Sequence, residues 1–100
     1  MEDITVQELK NRLDQGEALN IIDVREPWEY EEFNIGGKLI SLGSLPEHLD
    51  ELSDLKDAEI IVHCRSGARS ATAKAFLTQQ GFGKVRNMLG GIMDWRANFG

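Results

Sequence analysis

The sequence has little cysteine and little basic charge. Cys64 is the only cysteine among 100 residues. A single thiol excludes an intrachain disulfide and a paired-cysteine zinc or redox site, so it is either core filler or a reactive group. Lys and Arg number 11 against 17 Asp and Glu, a formal net charge of −6. This charge disfavours nucleic acid and anionic lipid as default partners.

Long apolar runs, repeats and low-complexity tracts are also missing. The apolar runs, such as 60–62, fall far short of the ~20 residues that a membrane span needs. The N-terminus has neither the basic start nor the apolar stretch of a secretory signal, so we expect a cytoplasmic protein. A chain of this length builds one core, and we predict a single domain over 1–100, with its oligomeric state left open.

The hydrophobic pattern predicts short strands that alternate with helices. The predicted strands are 19–24, 38–40, 59–64 and 85–88, and the predicted helices are 6–15, 27–32, 44–52, 68–80 and 92–99. This alternation implies right-handed crossovers and a mostly parallel sheet with helices on both faces. Ligands of such sheets bind beyond the carboxyl ends of the strands, where Cys64 falls.

The segment after the strand 59–64 carries most of the chemistry. Cys64 is followed by two arginines, a glycine and two serines before the next helix is under way. Backbone N–H groups, a helix N-terminus and nearby cations all stabilise a thiolate and lower the thiol pKa below its free value of ~8.5. The same donors would hold a small oxyanion against the sulfur. A buried structural cysteine is the alternative, but it needs none of these neighbours.

Three segments resemble rhodanese-type sulfurtransferases. The sequence HCRSGARS at 63–70 resembles the active-site loop of that family. Asp23-Val24-Arg25, with Pro27 and Glu29-Tyr30, resembles its D-V-R-x-P-x-E-[FY] segment. Residues 85–92, with Trp95, resemble its V-x-x-L-x-G-G-[IM]-x-x-W closing segment. Together the resemblance covers about 19–96.

The resemblance implies a fold and a set of site residues. The fold is α/β, with three layers around a mostly parallel five-stranded sheet. Cys64 is then the catalytic residue, and the substrate-binding loop consists of Arg65, Ser66, Gly67, Ala68 and Arg69. Asp23 and Arg25 end another strand at a possible edge of the site. For these two residues we favour an ion pair or turn cap, with substrate contact left open.

The implied reaction moves sulfane sulfur and needs no metal or organic cofactor. The Cys64 thiolate attacks thiosulfate or a persulfide donor, and the resulting persulfide passes its sulfur to cyanide, a thiol or a protein acceptor. One alternative is a sulfur-relay or protein-interaction module without efficient turnover. A cysteine phosphatase or arsenate reductase is disfavoured, because C-x5-R would require arginine where Ser70 stands.

Several other residues are weighed on the same grounds. Residues 33–37 carry Phe33-Asn34 where the family has Gly-His, and Gly where it has Ala, so we expect an altered entrance to the site. His63 should point to the opposite face of its strand from Cys64, which argues against a role as base. Four aromatic residues could line a pocket, but we expect them to be core and assign none a catalytic role. They are Trp28, Tyr30, Phe33 and Trp95.

Overall fold

The computed structural model describes all 100 residues, Met1–Gly100, and its strands alternate with helices as predicted. The strands are β1 Asn20–Asp23, β2 Lys38–Leu39, β3 Ile60–His63 and β4 Val85–Asn87. The helices are α1 Val6–Asp14, α2 Pro27–Glu32, α3 Leu49–Leu52, α4 Ala68–Gln79 and α5 Gly91–Phe99. Even the longest, α4 with 12 residues, falls short of the length and apolarity that crossing a membrane requires.

The segment predicted as one helix over 44–52 is divided in the structure. The 3₁₀ segments Leu42–His48 and Ser53–Leu55 flank the four-residue α3. Pro46 lies inside the first of these segments, where it offers no N–H to a helical ladder. The predicted short helix is present as α3, and 3₁₀ turns occupy the rest of the segment.

The sheet has four parallel strands in the order β2-β1-β3-β4. The prediction of a fifth strand is wrong. At its place, beside β4, Ile4 makes a single parallel bridge to Met88. The pairing goes no further because Thr5 already caps α1, its hydroxyl accepting from the Glu8 amide at 3.1 Å.

Both faces of the sheet are buried, so each central strand contributes to two cores. Ile60 and Val62 of β3 pack on the face covered by α4, together with Leu77. Ile61 packs on the opposite face with Leu9 of α1 and Trp95 of α5. Each fully buried aliphatic side chain of this kind contributes ~1.5–3 kcal/mol to stability. The alternation of side chains between the two faces continues past β3, and it determines the face on which the next side chains lie.

Candidate active site

The site begins where β3 ends and the chain turns into α4. Cys64 follows β3 directly, is 1% exposed and belongs to the core on the α4 face. Gly67 is the N-cap of α4 and has a φ of +106°, a left-handed conformation that glycine adopts readily. The turn at Gly67 folds the loop back over Cys64, so that backbone amides face the sulfur.

Three hydrogen-bonding groups surround the Cys64 sulfur. The Gly67 and Ser70 amides donate to Sγ at 3.1 and 3.4 Å, and the Ser70 hydroxyl lies 3.3 Å from it. Burial by itself raises the pKa of the thiol, but the Ser70 hydroxyl and the amides of Ser70, Gly67 and Ser66 together outweigh it. The net effect is a Cys64 pKa below its ordinary value, which favours the nucleophilic thiolate.

Arg69 is held by a carboxylate that the sequence reasoning did not assign to the site. Its guanidinium donates to both oxygens of Glu29, at 2.7 and 2.9 Å. This bidentate contact is the main cause of a Glu29 pKa of about 2, and it raises the pKa of Arg69 as well. The Cys64 charge adds to the shift at Arg69, which places the guanidinium within electrostatic reach of the thiolate. The only sequence signal for Glu29 was its place in the D-V-R-x-P-x-E segment.

An open pocket of about 350 Å³ lies beside the loop, between α2 and α5. Arg65 is exposed and lines this pocket together with Phe33 and Arg96. Trp28 and Met93 also line it and are 66% and 54% exposed. The prediction of Trp28 as a core residue is therefore wrong, because its ring faces the pocket and solvent.

Asp23 and Arg25 form a buried ion pair at the end of β1. Arg25 donates to the Asp23 carboxylate from Nε at 2.9 Å and from a terminal nitrogen at 2.8 Å, and its amide caps the same carboxylate. Arg25 also donates to the Phe33 carbonyl at 2.7 Å, and it contributes to the wall of the pocket. Asp23 is thus engaged within the fold, while Arg25 reaches the edge of the site.

His63 and Cys64 lie on opposite faces of the sheet. His63 is fully buried, and neither ring nitrogen has a hydrogen-bond partner. Its Nε2 lies 3.8 Å from an Asp23 oxygen, and burial is the main cause of a His63 pKa of about 4. His63 is therefore neutral at pH 7 and points away from the thiol. The structure also brings together no three His, Cys, Asp or Glu side chains that could hold a metal ion.

The start of α5 anchors the first residues of the loop. The Ile92 and Met93 amides donate to the Cys64 and Arg65 carbonyls, both at 2.9 Å. Gly91 permits this approach, since a Cβ there would lie 2.4 Å from the Arg65 carbonyl oxygen. A glycine pair by itself indicates only a turn, so the sequence pattern gives no sign that Gly91 makes room for the loop after Cys64.

The departure from the family pattern at Phe33-Asn34 lies at the pocket. The Asn34 side chain stabilises its own turn, accepting from the Gly36 amide at 2.9 Å. The Phe33 ring lies 4.7 Å from the Arg96 guanidinium, and both line the pocket. A large aromatic ring thus stands in the pocket wall where the family pattern has glycine.

Comparison with known proteins places this geometry in a family. Residues 5–98 match the rhodanese-like domain. A sulfurtransferase of Allochromatium vinosum is 37% identical over 94 residues, 93% of this chain and 86% of that protein. A thiosulfate sulfurtransferase of Coxiella burnetii, GlpE, is 33% identical over 79 residues, 78% of this chain and 72% of that protein. A solved rhodanese-like domain protein of Staphylococcus aureus aligns with a TM-score of 0.81 and 32% identity, covering 95% of this chain and 91% of that one.

The relatives differ in length. The chain spans 50% of a Bacillus subtilis protein whose name refers to a sulfur carrier protein, at 40% identity over 94 residues and 93% of this chain. The family model matches residues 5–98, a range that includes the loop, the sheet and the α5 anchor. The predicted family is therefore confirmed, and the chain belongs to the rhodanese-like domain family.

Proposed function

We propose that this chain is a sulfurtransferase that carries sulfane sulfur as a persulfide on Cys64. The observation that supports this best is that the only thiol of the chain receives hydrogen bonds from its own loop, at 3.1 Å from the Gly67 amide and 3.4 Å from the Ser70 amide. Such hydrogen bonds stabilise the thiolate, which is the nucleophilic form of cysteine.

The proposed reaction has two displacement steps at sulfur. The Cys64 thiolate attacks the outer sulfur of thiosulfate, the sulfur–sulfur bond of thiosulfate breaks, and sulfite leaves with the bonding pair. An acceptor such as cyanide or a thiol then attacks the outer sulfur of the persulfide, and Cys64 leaves as thiolate. No electrons are lost or gained overall, so the cycle needs neither a metal nor a redox cofactor.

Positive charge around the loop suits an anionic donor in this acidic chain. Arg65 is exposed and lines the pocket. Arg96 lines the same pocket, with its guanidinium over the Phe33 ring. Arg69 adds a cation that Glu29 holds in a fixed orientation. We propose that these groups and the loop amides from Arg65 to Arg69 bind thiosulfate and stabilise the departing sulfite. The name of the Coxiella relative supports the choice of thiosulfate.

The loop is one residue too short for the cysteine-phosphatase pattern. In that pattern an arginine stands six residues after the cysteine, but here Ser70 occupies the position and is fully buried against Cys64. A buried hydroxyl cannot replace a guanidinium that grips phosphate oxygens from two sides. The loop therefore favours sulfur transfer over phosphoryl transfer.

A protein acceptor is the second candidate, and the exposed apolar rim of the pocket favours it. Trp28 and Met93 stand beside Arg65 with more than half of their surfaces open to solvent. Exposed aromatic and methionine side chains are typical of surfaces that bind another protein. In this version the chain accepts sulfur and relays it to a partner, with slow turnover on small acceptors.

Steady-state assays with two substrates separate these possibilities. With thiosulfate and cyanide, the chain should form thiocyanate, and Cys64→Ser should lose that activity. An aryl phosphate should yield no phosphate. Phosphate release without thiocyanate would overturn the proposal. A single fast turnover followed by slow cycling would favour the relay.

A further inference from the structure

The Ser70 hydroxyl has one proton and two groups that compete for it. Ser70 is fully buried, and its Oγ lies 3.3 Å from the Cys64 sulfur and 2.6 Å from Asn87 Oδ1. A serine hydroxyl offers a single donor and two lone pairs. It can therefore donate to the sulfur or to Asn87, but not to both at full strength.

The Asn87 side chain is fixed as an acceptor toward Ser70. Its Nδ2 donates to the Gly67 carbonyl at 3.1 Å, so its Oδ1 is the atom that faces Ser70. The reversed amide would set two carbonyl oxygens against each other at Gly67. Asn87 is 5% exposed, and its backbone amide is held by Asp3 at 3.0 Å. Water therefore has little access to replace a lost hydrogen bond.

The two protonation states of Cys64 use this arrangement differently. In the thiol state, S–H donates to Ser70 Oγ and Ser70 donates to Asn87, so every group has a partner. In the thiolate state the sulfur only accepts. Ser70 can then donate its proton to the sulfur, which leaves Asn87 Oδ1 without a donor. If Ser70 instead donates to Asn87, the lone pairs of its oxygen face the negatively charged sulfur. Either choice costs about one hydrogen bond in a buried site.

We propose that Asn87 is a positioning residue that competes with Cys64 for the Ser70 proton and so limits how strongly Ser70 stabilises the thiolate. Asn87 makes no hydrogen bond to the sulfur itself and acts through Ser70, while its contact with the Gly67 carbonyl orients its amide. When the sulfur is extended to a persulfide, negative charge moves to the outer sulfur and the Ser70 proton can return to Asn87. This inference deepens the proposed function, since it rests on Cys64 as the nucleophile.

Asn87→Ala leaves the charged groups near the thiol unchanged. Arg69 on α4 stays paired with Glu29 of α2, and Asp3 stays paired with Lys74 of α4 at 2.7 Å. The remaining neighbours are the exposed Arg65 in the loop and the neutral His63, which faces the other side of β3.

The test is the Cys64 pKa, measured from the pH dependence of the rate of alkylation by iodoacetamide. Four proteins are compared: wild type, Asn87→Ala, Ser70→Ala and the double variant. Asn87→Ala should lower the pKa by about half to one unit, because the competitor for the proton is gone. Ser70→Ala should raise it by about one unit. The double variant should match Ser70→Ala, because Asn87 acts through the hydroxyl.

Asn87→Asp is the matched variant, since it keeps the acceptor and loses the same contact to Gly67. It should raise the Cys64 pKa above the wild-type value, opposite in sign to Asn87→Ala. In the Ser70→Ala background this rise should shrink to the part that the added carboxylate charge contributes. Equal shifts for Asn87→Ala with and without Ser70 would overturn the proposal, because the effect would then come from the loop. Alkylation uses no sulfur donor, so an inactive sulfurtransferase with these shifts would refute the proposed function alone.

Discussion

His63 and Cys64 are neighbours in the chain, both buried, and they have opposite surroundings. Cys64 turns to the α4 face, where two amides and a hydroxyl meet its sulfur. His63 turns to the other face and finds no hydrogen-bond partner for either nitrogen. Burial drives both groups toward their neutral forms, raising the Cys64 pKa and lowering that of His63. Only at Cys64 do hydrogen bonds reverse the effect of burial.

The difference has two causes. Successive side chains of a strand point to opposite faces of the sheet, and the loop after β3 folds over only one of those faces. A glycine turn and the first turn of α4 bring N–H groups to the side on which Cys64 lies. The other side receives Asp23, already occupied by Arg25. The charged form of a buried titratable group is therefore stabilised where a loop supplies hydrogen-bond donors, as at Cys64, and disfavoured where the group has no partner, as at His63.

Of the three variants, Gly91→Ala should have the largest effect, because it should disrupt the loop around Cys64. A Cβ at this position would collide with the Arg65 carbonyl, and the φ of +59° adds strain. We expect the free energy of unfolding to fall by roughly 3–4 kcal/mol, measured by urea denaturation, with loss of thiocyanate formation. Gly43→Ala is the control, since nothing lies within 4 Å of its Cβ position. Equal stability of the two variants would contradict the close approach.

His63 should make the chain acid-sensitive. Its pKa of about 4 in the folded chain lies below the ordinary value of 6.5, so below pH 6.5 the unfolded chain binds a proton that the folded chain does not. Stability is therefore lost as pH falls from 6.5 to 4, by about 3 kcal/mol. The fall in the free energy of unfolding between pH 7 and pH 4, measured by denaturation, should be about 3 kcal/mol smaller in His63→Leu than in wild type. An identical loss in His63→Leu and in wild type would refute the assignment.

Arg69→Ala should have the smallest effect of the three, and on activity more than on stability. Removing a cation that binds the anionic donor should cost ~1–3 kcal/mol, a roughly 5- to 150-fold fall in kcat/KM for thiosulfate. Lys38→Ala removes an exposed cation of β2 that is paired with Glu51 and serves as the control. An unchanged kcat/KM in Arg69→Ala would remove Arg69 from the site.

Local signals in the sequence predicted most of the fold and the place of Cys64 within it. The four strands, the Thr5 cap and the position of Cys64 after β3 all follow from patterns within a few residues. The fifth strand came from the family resemblance and is wrong, because Thr5, directly after Ile4, already caps α1.

The parts of the site that were missed depend on contacts between distant segments. Glu29 meets Arg69 across 40 positions, and Asn87 meets Ser70 across 17. Trp28 was expected in the core because aromatic residues in small domains usually are, but the short α2 turns it outward. The pattern of apolar residues within one segment does not indicate which side chains of a distant segment will contact it.

The central claim is that the only thiol of the chain carries the transferred sulfur. The most direct test is the intact mass of the protein after incubation with thiosulfate. Wild type should gain the mass of one sulfur atom and lose it on addition of cyanide or a thiol, whereas Cys64→Ser should gain nothing. A wild-type chain that gains no sulfur, or a Cys64→Ser chain that gains the same mass, would contradict the account.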